Sequence, residues 1–306
     1  MNALAASKYI AQKMDNHTEN GFTQLSSHYD EKYKINWLYM HAEPRPCFSH
    51  QLLDEIAIFI DGMKRDMHNT RQKKYDYLVV SSKTKDVFNL GGDLSLFTQL
   101  IEQGDQQALL EYAIKGIDLV YNNHRHFDLD MTTISLVQGD ALGGGFEAAL
   151  SSNIIIAERG VKMGLPEVLF NLFPGMGAYS LLSRKMSPKA AEKMILSGRI
   201  YTAEEMYELG VVDILAEPGE GELAVYRYIE STKRSANTHK AMRQVVDVCN
   251  PISYQEMLDI AEIWARSALD LSSKDLKMMA RLVKRQDALA PTPAVESQAG
   301  VTSLVV

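Results

Sequence analysis

Two glutamates stand where glycine and proline bend the chain. Glu147 closes the run Leu142-Gly143-Gly144-Gly145-Phe146-Glu147, and Glu167 ends Gly164-Leu165-Pro166-Glu167. A further pair, Gly91-Gly92, follows Phe88-Asn89-Leu90 upstream. A carboxyl can take or give a proton, and glycine leaves the backbone N–H open to close approach by a substrate. Taken alone, Glu147 is an ordinary acidic residue in a first helical turn, worth about 0.3–1 kcal/mol there. The apolar company of Phe146, Ala148, Ala149 and Leu150 argues for more, because a carboxyl that loses water has a raised pKa. Glu167 is flanked by Pro166, Val168, Leu169 and Phe170, so the same desolvation is expected. Two such acids can act as acid and base in one site. Two converging glycine amides would form an oxyanion hole, where losing one donor costs about 3–4 kcal/mol of transition-state stabilisation.

The elements that must carry these turns are legible from pattern. Apolar runs at 35–40, 77–81, 134–137, 154–157 and 211–215 predict strands, and the run at 77–81 reads as a buried parallel one. Leu52, Leu53, Ile56, Phe59, Ile60 and Met63 recur at helical spacing, which predicts a helix over 51–67; a second amphipathic helix is expected over 106–123. Asp93 is placed to cap a helix, and Thr202-Ala203-Glu204-Glu205 is a capping-box pattern opening a helix that stops at Gly210. Strands regularly followed by helices imply an α/β fold with mostly parallel strands. After Pro218-Gly219-Glu220-Gly221 the strand pattern ends and helices dominate. The organisation expected is a mobile arm at 1–20, a core at 21–217 carrying the active site, a helical region at 218–290 and a disordered tail at 291–306.

At 306 residues and 46% hydrophobic, the chain can bury a large core, as one domain or one domain with an appendage. A net charge of -7 argues against general nucleic-acid binding. Cys47 and Cys249 have no metal-ligand spacing, and a reduced, cytoplasmic protein is expected. The polar start lacks the apolar stretch of a signal peptide, and no run approaches the ~18 apolar residues of a membrane span. Fifteen methionines suit either ordinary core filling or a flexible acyl ligand.

A longer ordered series carries a resemblance. Phe88-Asn89-Leu90-Gly91-Gly92-Asp93, Gln138-Gly139-Asp140-Ala141-Leu142-Gly143-Gly144-Gly145-Phe146-Glu147, Gly164-Leu165-Pro166-Glu167, Phe173-Pro174-Gly175-Met176-Gly177 and Ser197-Gly198-Arg199 stand in order, followed by Ala203-Glu204-Glu205 and Leu209-Gly210-Val211-Val212. Over about 77–213 the chain resembles the crotonase superfamily, to which the enoyl-CoA hydratases and isomerases belong. The resemblance implies a crotonase-like (ClpP/crotonase) spiral of ββα units with a helical C-terminal trimerisation region, assembled as a homotrimer or a dimer of trimers. It further implies catalytic roles for Glu147 and Glu167 and oxyanion amides at Gly92 and Gly144. The wording at 87–94, the lengthened stretch at 121–130 and the segment at 170–179 are most similar to the diffusible signal factor synthases. Ordinary hydratases usually carry glycine where Asn171 stands.

Such a synthase dehydrates a 3-hydroxyacyl thioester on acyl carrier protein and hydrolyses it to a free cis-2-unsaturated fatty acid. By that resemblance no metal or redox cofactor is expected, the substrate being carried on the phosphopantetheine of acyl carrier protein or CoA. The partners implied are acyl carrier protein and a sensor kinase. The alternatives are a plain enoyl-CoA hydratase or isomerase, or a regulatory binding protein that has kept the fold. Which glutamate is acid and which base stays open, with a preference for Glu167 taking the α-proton. Leu142, Met176 and Trp264 are the candidates for an acyl pocket, in which each buried methylene contributes about 0.8 kcal/mol; ordinary helix packing is an equal reading for Trp264. Two basic groups are candidate docks for an acidic carrier: Lys274, Lys277, Arg281, Lys284 and Arg285 on one helical face, and Lys64, Arg65, Arg71, Lys73 and Lys74.

Overall fold

A computed structural model describes residues 21–41, 44–69 and 73–288. The expected arm at 1–20 and tail at 291–306 lie outside the described residues. The chain opens with strands β1 (Leu25–Asp30) and β2 (Ile35–Met40), paired antiparallel, then helix α1 (His50–Asn69). Three similar turns follow, each laying one strand in a large sheet and the next in a small one. They are β3 (Tyr77–Ser82) with β4 (Val87–Asn89), β5 (Thr132–Val137) with β6 (Asp140–Leu142), and β7 (Ile154–Glu158) with β8 (Lys162–Gly164). Helices α2 (Leu94–Gln103) and α3 (Gln106–His124) close the first turn, and α4 (Gly144–Leu150) closes the second. After β8 come α5 (Ala178–Leu182), α6 (Pro188–Ser197), β9 (Ile200–Thr202), α7 (Ala203–Glu208) and β10 (Ile214–Ala216).

The six-stranded sheet runs β1-β2-β3-β5-β7-β10, parallel from β2 onward, and the four-stranded sheet runs β4-β6-β8-β9. This is the spiral of strand-strand-helix units that the resemblance implies. β2 is buried at every position because both sheet faces are covered. One face packs on α1 and α3; the other carries Ile35, Trp37, Val79, Ile134 and Ile156 against Val225, Tyr226 and Ile229 of α8 (Gly221–Thr232). The small sheet positions the chemistry. Its parallel strands β4, β6 and β8 lie side by side, and each runs directly into one of the motifs: Gly91-Gly92, Gly143-Gly144 and Pro166-Glu167.

Expected and observed elements agree closely at 35–40, 51–67 and 106–123. Asp93 caps α2 by accepting from the Ser95 and Leu96 N–H groups, and the Thr202–Glu205 capping box forms in both directions. The strand expected at 211–215 is a correction: pairing begins at Ile214, and Val211 and Val212 are instead buried in the connection, where both N–H groups donate to Met206 O. Their apolar character serves the core rather than a ladder. The helices after residue 218 are present as α8, α9 (Ala236–Cys249), α10 (Tyr254–Leu269) and α11 (Ser273–Ala288). Of these, α10 and α11 are part of the core structure and not an appendage, for α10 packs along α3, and α11 packs on α2 and on the turn after Glu167. Among the described residues, no helix is long and apolar enough to cross a membrane.

Two glycines report how tightly the small sheet and α4 are joined. A Cβ built on Gly145 would lie 2.0 Å from the Asn89 carbonyl oxygen, whereas one on Gly62 in α1 meets nothing within 4 Å. Gly62→Ala should therefore stabilise the protein by about 0.5–1 kcal/mol, and Gly145→Ala should cost about 2–3 kcal/mol. Urea denaturation midpoints measure both; a Gly145→Ala protein as stable as the parent would mean α4 does not sit against β4 as described.

Candidate active site

The first glycine turn is laced in place by hydrogen bonds. Gly91 has φ 88, a left-handed conformation open to glycine, and its N–H donates to the buried Asn89 Oδ1 at 2.8 Å. The Phe48 N–H donates to Gly91 O at 2.7 Å. The second turn abuts the first: a Cβ on Gly91 would fall 2.7 Å from the Gly144 nitrogen, and one on Gly144 would fall 3.5 Å from the Gly92 nitrogen. Gly144 is the first residue of α4, so its N–H has no partner within the helix, and Gly143 offers no side-chain cap. The Gly92 and Gly144 amides thus lie close together beside one cavity, as an oxyanion hole requires.

Glu147 lies one turn into α4 and is buried. Its Oε1 accepts two hydrogen bonds at 2.9 Å, from the Met176 and Ala178 N–H groups. Burial drives its pKa up, and these two amides partly offset the rise. Glu167 opens the 3-10 turn Glu167–Phe170. Its Oε1 sits 2.7 Å from where a Gly143 side chain would begin. Its Oε2 is buried and has no hydrogen-bond partner among the described residues. Burial raises its pKa first, and the neighbouring Glu147 raises it again. With two amide bonds on one carboxyl and an unpartnered oxygen on the other, a single negative charge on the pair settles preferentially on Glu147.

Desolvation was expected for both acids and is found, and three of the four neighbours named for Glu167 take part in it: Pro166, Leu169 and Phe170 line the same cavity, whereas Val168 is exposed and contributes no wall.

Gly92, Leu142, Gly144, Glu147, Glu167, Met176 and Trp264 all line one cavity of about 160 Å³. Every site residue expected from sequence is therefore brought to one place. Glu147 and Glu167 are the only carboxyl groups among its lining residues. Trp264, in α10, fulfils both of its readings: it lines the cavity, and it packs edge-on to Phe97 with ring centroids 5.1 Å apart. Sequence reasoning missed Phe97, Tyr112, Leu282 and Gln286. The last two lie on the face of α11 opposite its charges, and helical spacing with the buried Met279 was the available signal. Asn171 adopts φ 61 after the 3-10 turn, a conformation that glycine and asparagine enter most readily. Its Nδ2 donates to Asp275 Oδ2 at 3.4 Å, which ties that turn to α11.

The two basic groups separate. Lys73 bridges Asp76 and Asp130, and Lys74 bridges Asp66, so two cations of that cluster are paired; Lys64 donates to Asn122 Oδ1, and Arg71 lies outside the described residues. On α11, Lys274, Lys277, Arg281 and Lys284 are exposed and make no salt bridge among the described residues. Cys47 is buried and Cys249 exposed, both as free thiols. Among the described residues, no group of three or more His, Cys, Asp or Glu side chains could hold a metal ion.

Comparison with known proteins gives consistent results. A family model described as enoyl-CoA hydratase/isomerase matches residues 45–248. The fatty acid oxidation complex subunit alpha of Pseudomonas aeruginosa is 28% identical over 197 residues, which is 64% of this chain and 26% of that protein. The peroxisomal fatty acid beta-oxidation multifunctional protein AIM1 of Arabidopsis thaliana is 30% identical over 161 residues, 53% of this chain and 22% of that one. The chain thus spans about a quarter of the length of these curated relatives. Among solved structures, an enoyl-CoA hydratase from Mycobacterium avium subsp. paratuberculosis superposes with TM-score 0.68 at 16% identity, covering 87% of this chain and 98% of that one. Pseudomonas aeruginosa DspI superposes with TM-score 0.64 at 23% identity, covering 79% and 93%. These two structural likenesses speak to the fold.

The raised Glu167 pKa has a consequence for stability. An unfolded glutamate titrates near ~4.3, and the folded state holds the Glu167 proton to higher pH. The stabilising effect of the protonated form is complete below the unfolded value and is lost as pH rises through the folded one. Glu167→Gln, which cannot ionise, should therefore raise the melting temperature more at about pH 8.5 than at about pH 5. An equal effect at both pH values would show that the fold does not hold Glu167 protonated.

Proposed function

The chain belongs to the enoyl-CoA hydratase/isomerase family, whose model spans most of its length, and we propose that it dehydrates a 3-hydroxyacyl thioester on acyl carrier protein and hydrolyses the thioester to a free 2-unsaturated fatty acid, the cis acid of a diffusible signal factor. The observation that carries this reading is the pair of buried carboxyls, Glu147 and Glu167, facing one apolar cavity beside the Gly92 and Gly144 amides.

Dehydration proceeds from the less favoured of the two singly ionised arrangements, with the proton on Glu147 and the charge on Glu167, where the poorly stabilised carboxylate is the stronger base. The Gly92 and Gly144 N–H groups hold the thioester oxygen, and Glu167 removes the α-proton as electron density moves onto that oxygen. The enolate collapses to the double bond, and the 3-hydroxyl leaves as water with the proton of Glu147. The charge now rests on Glu147, where the Met176 and Ala178 N–H bonds favour it. Glu147 is then the base that takes a proton from water as the water oxygen attacks the thioester carbonyl. The same two amides receive the tetrahedral oxyanion. The carbon–sulfur bond breaks, the thiolate takes its proton from Glu167, and both carboxyls return to their starting states.

Leu142, Met176 and Trp264 form part of the wall for the acyl tail. The exposed lysines and arginine of α11 lie on a helix that also lines the cavity, which favours that stripe over the cluster in which Lys73 and Lys74 are already paired as the dock for an acidic carrier. The expected homotrimer, or dimer of trimers, belongs to the same proposal, with the helices after residue 218 as its contact region.

Incubation with a 3-hydroxyacyl-acyl carrier protein should release free 2-enoic acid detectable by mass spectrometry. Glu147→Gln and Glu167→Gln should each reduce it by about 10²-fold or more. Enoyl thioester without free acid would instead favour a hydratase, and near-normal product from either variant would remove that carboxyl from the mechanism. Joint reversal of Lys274, Lys277 and Arg281 to glutamate should raise KM for the carrier-bound substrate severalfold while leaving KM for a small thioester unchanged. An unchanged KM for the carrier-bound substrate would reject this dock.

A further inference from the structure

Gln286 is a polar side chain buried to 4% exposure near the end of a charged surface helix. Its Nε2 donates to Leu90 O at 3.4 Å and Gly92 O at 3.3 Å. It therefore grips the turn whose Gly92 amide faces the thioester oxygen. Rotating the amide by half a turn would set its oxygen against two carbonyl oxygens, so the hydrogen bonds themselves fix which atom points where. The other end, Oε1, is buried and has no partner among the described residues. An amide oxygen has two lone pairs, and leaving it unpaired in an apolar wall costs free energy that a bound donor would recover.

The surroundings hold this group in place. Arg45 bridges Asp93, the cap of α2, with its Nη1 at 3.2 Å and Asp287 of α11 with its Nε at 3.2 Å. At the far end of α11, Asp275 accepts from Asn171. The helix is thus tied down on both sides of the cavity, and Leu282 and Gln286 face inward between those ties. The side chain is preorganised for a ligand rather than free to turn away.

The donor that fits is set by where Gln286 sits. It bonds the residue whose N–H holds the thioester oxygen, so its partner lies a few bonds from that carbonyl. The acyl tail is apolar and offers no donor, and the 3-hydroxyl is committed to Glu147. On the sulfur side, the carrier arm of acyl carrier protein and of CoA places an amide N–H beyond a short ethylene link. We propose that Gln286 is a substrate-binding residue whose Oε1 accepts that amide N–H, while its Nε2 keeps the oxyanion turn in place. This inference rests on the thioester reading of the cavity given above, and it makes the C-terminal helix part of the binding site for any pantetheine thioester.

The test uses ligands that cannot react. One is the ketone isostere of an N-acetylcysteamine thioester, in which a methylene replaces sulfur; the other is the dialkyl ketone of equal length without the amide. Calorimetric titration of the intact protein should show the amide ketone binding roughly tenfold more tightly. Gln286→Met removes donor and acceptor at similar volume, and Gln286→Lys keeps a donor toward the carbonyls but no acceptor. Both should bring the two affinities together, chiefly by weakening the amide ketone. The proposal is overturned if the parent protein does not distinguish the ketones, or if either folded variant still does. Failure of the dehydration and hydrolysis reading would appear separately, as absence of free acid from the parent protein with the ketone preference intact.

Discussion

The structure turns on a buried carboxyl, Glu147, whose charged form two main-chain amides stabilise. Taking a carboxylate out of water costs several kcal/mol, and each hydrogen bond to it returns about 1.5–3 kcal/mol. Glu147 meets that cost with the Met176 and Ala178 N–H groups. Those two bonds reach from α4 to the loop that leads into α5, and the loop carries Met176 into the cavity. One electrostatic constraint thereby sets the position of a carboxyl, the course of a loop and part of the apolar wall.

The second carboxyl then acquires its character by contrast. Glu167 has an unpartnered buried oxygen and a like charge nearby, so it holds a proton that Glu147 gives up more readily. Two groups of the same chemistry are driven apart by their surroundings, which is the usual route to an acid and a base in one site. The glycine turns do the complementary work. Because Gly91 and Gly144 have no side chains, two backbone turns approach closely and bring the Gly92 and Gly144 amides together.

Much of this was open to reading in one dimension. The strands at 35–40, 77–81, 134–137 and 154–157, the Asp93 cap and the Thr202 capping box follow from local rules that tertiary contacts did not overturn. Both glutamates and both glycine turns could be singled out because their residue types are costly unless used. The misreadings share one cause, an appeal to sequence neighbours where spatial ones decide. Val211 and Val212 are apolar for the core and not for a strand. Val168 flanks Glu167 yet faces away from the cavity wall that Pro166, Leu169 and Phe170 help to build. Lys73 and Lys74 look like a free basic patch until their acidic partners are in view.

By itself the sequence determined the period of the elements, which two carboxyls stand beside glycine turns and the places where the backbone must bend sharply. These are properties of a few adjacent residues, governed by dihedral freedom and side-chain pattern. Only the tertiary structure decided that β4, β6 and β8 deliver three separated motifs to one edge, which carboxyl keeps the charge, and that Gln286 closes the site from a distant helix. Those outcomes depend on distances between segments far apart in the chain, and on how completely water is removed between them.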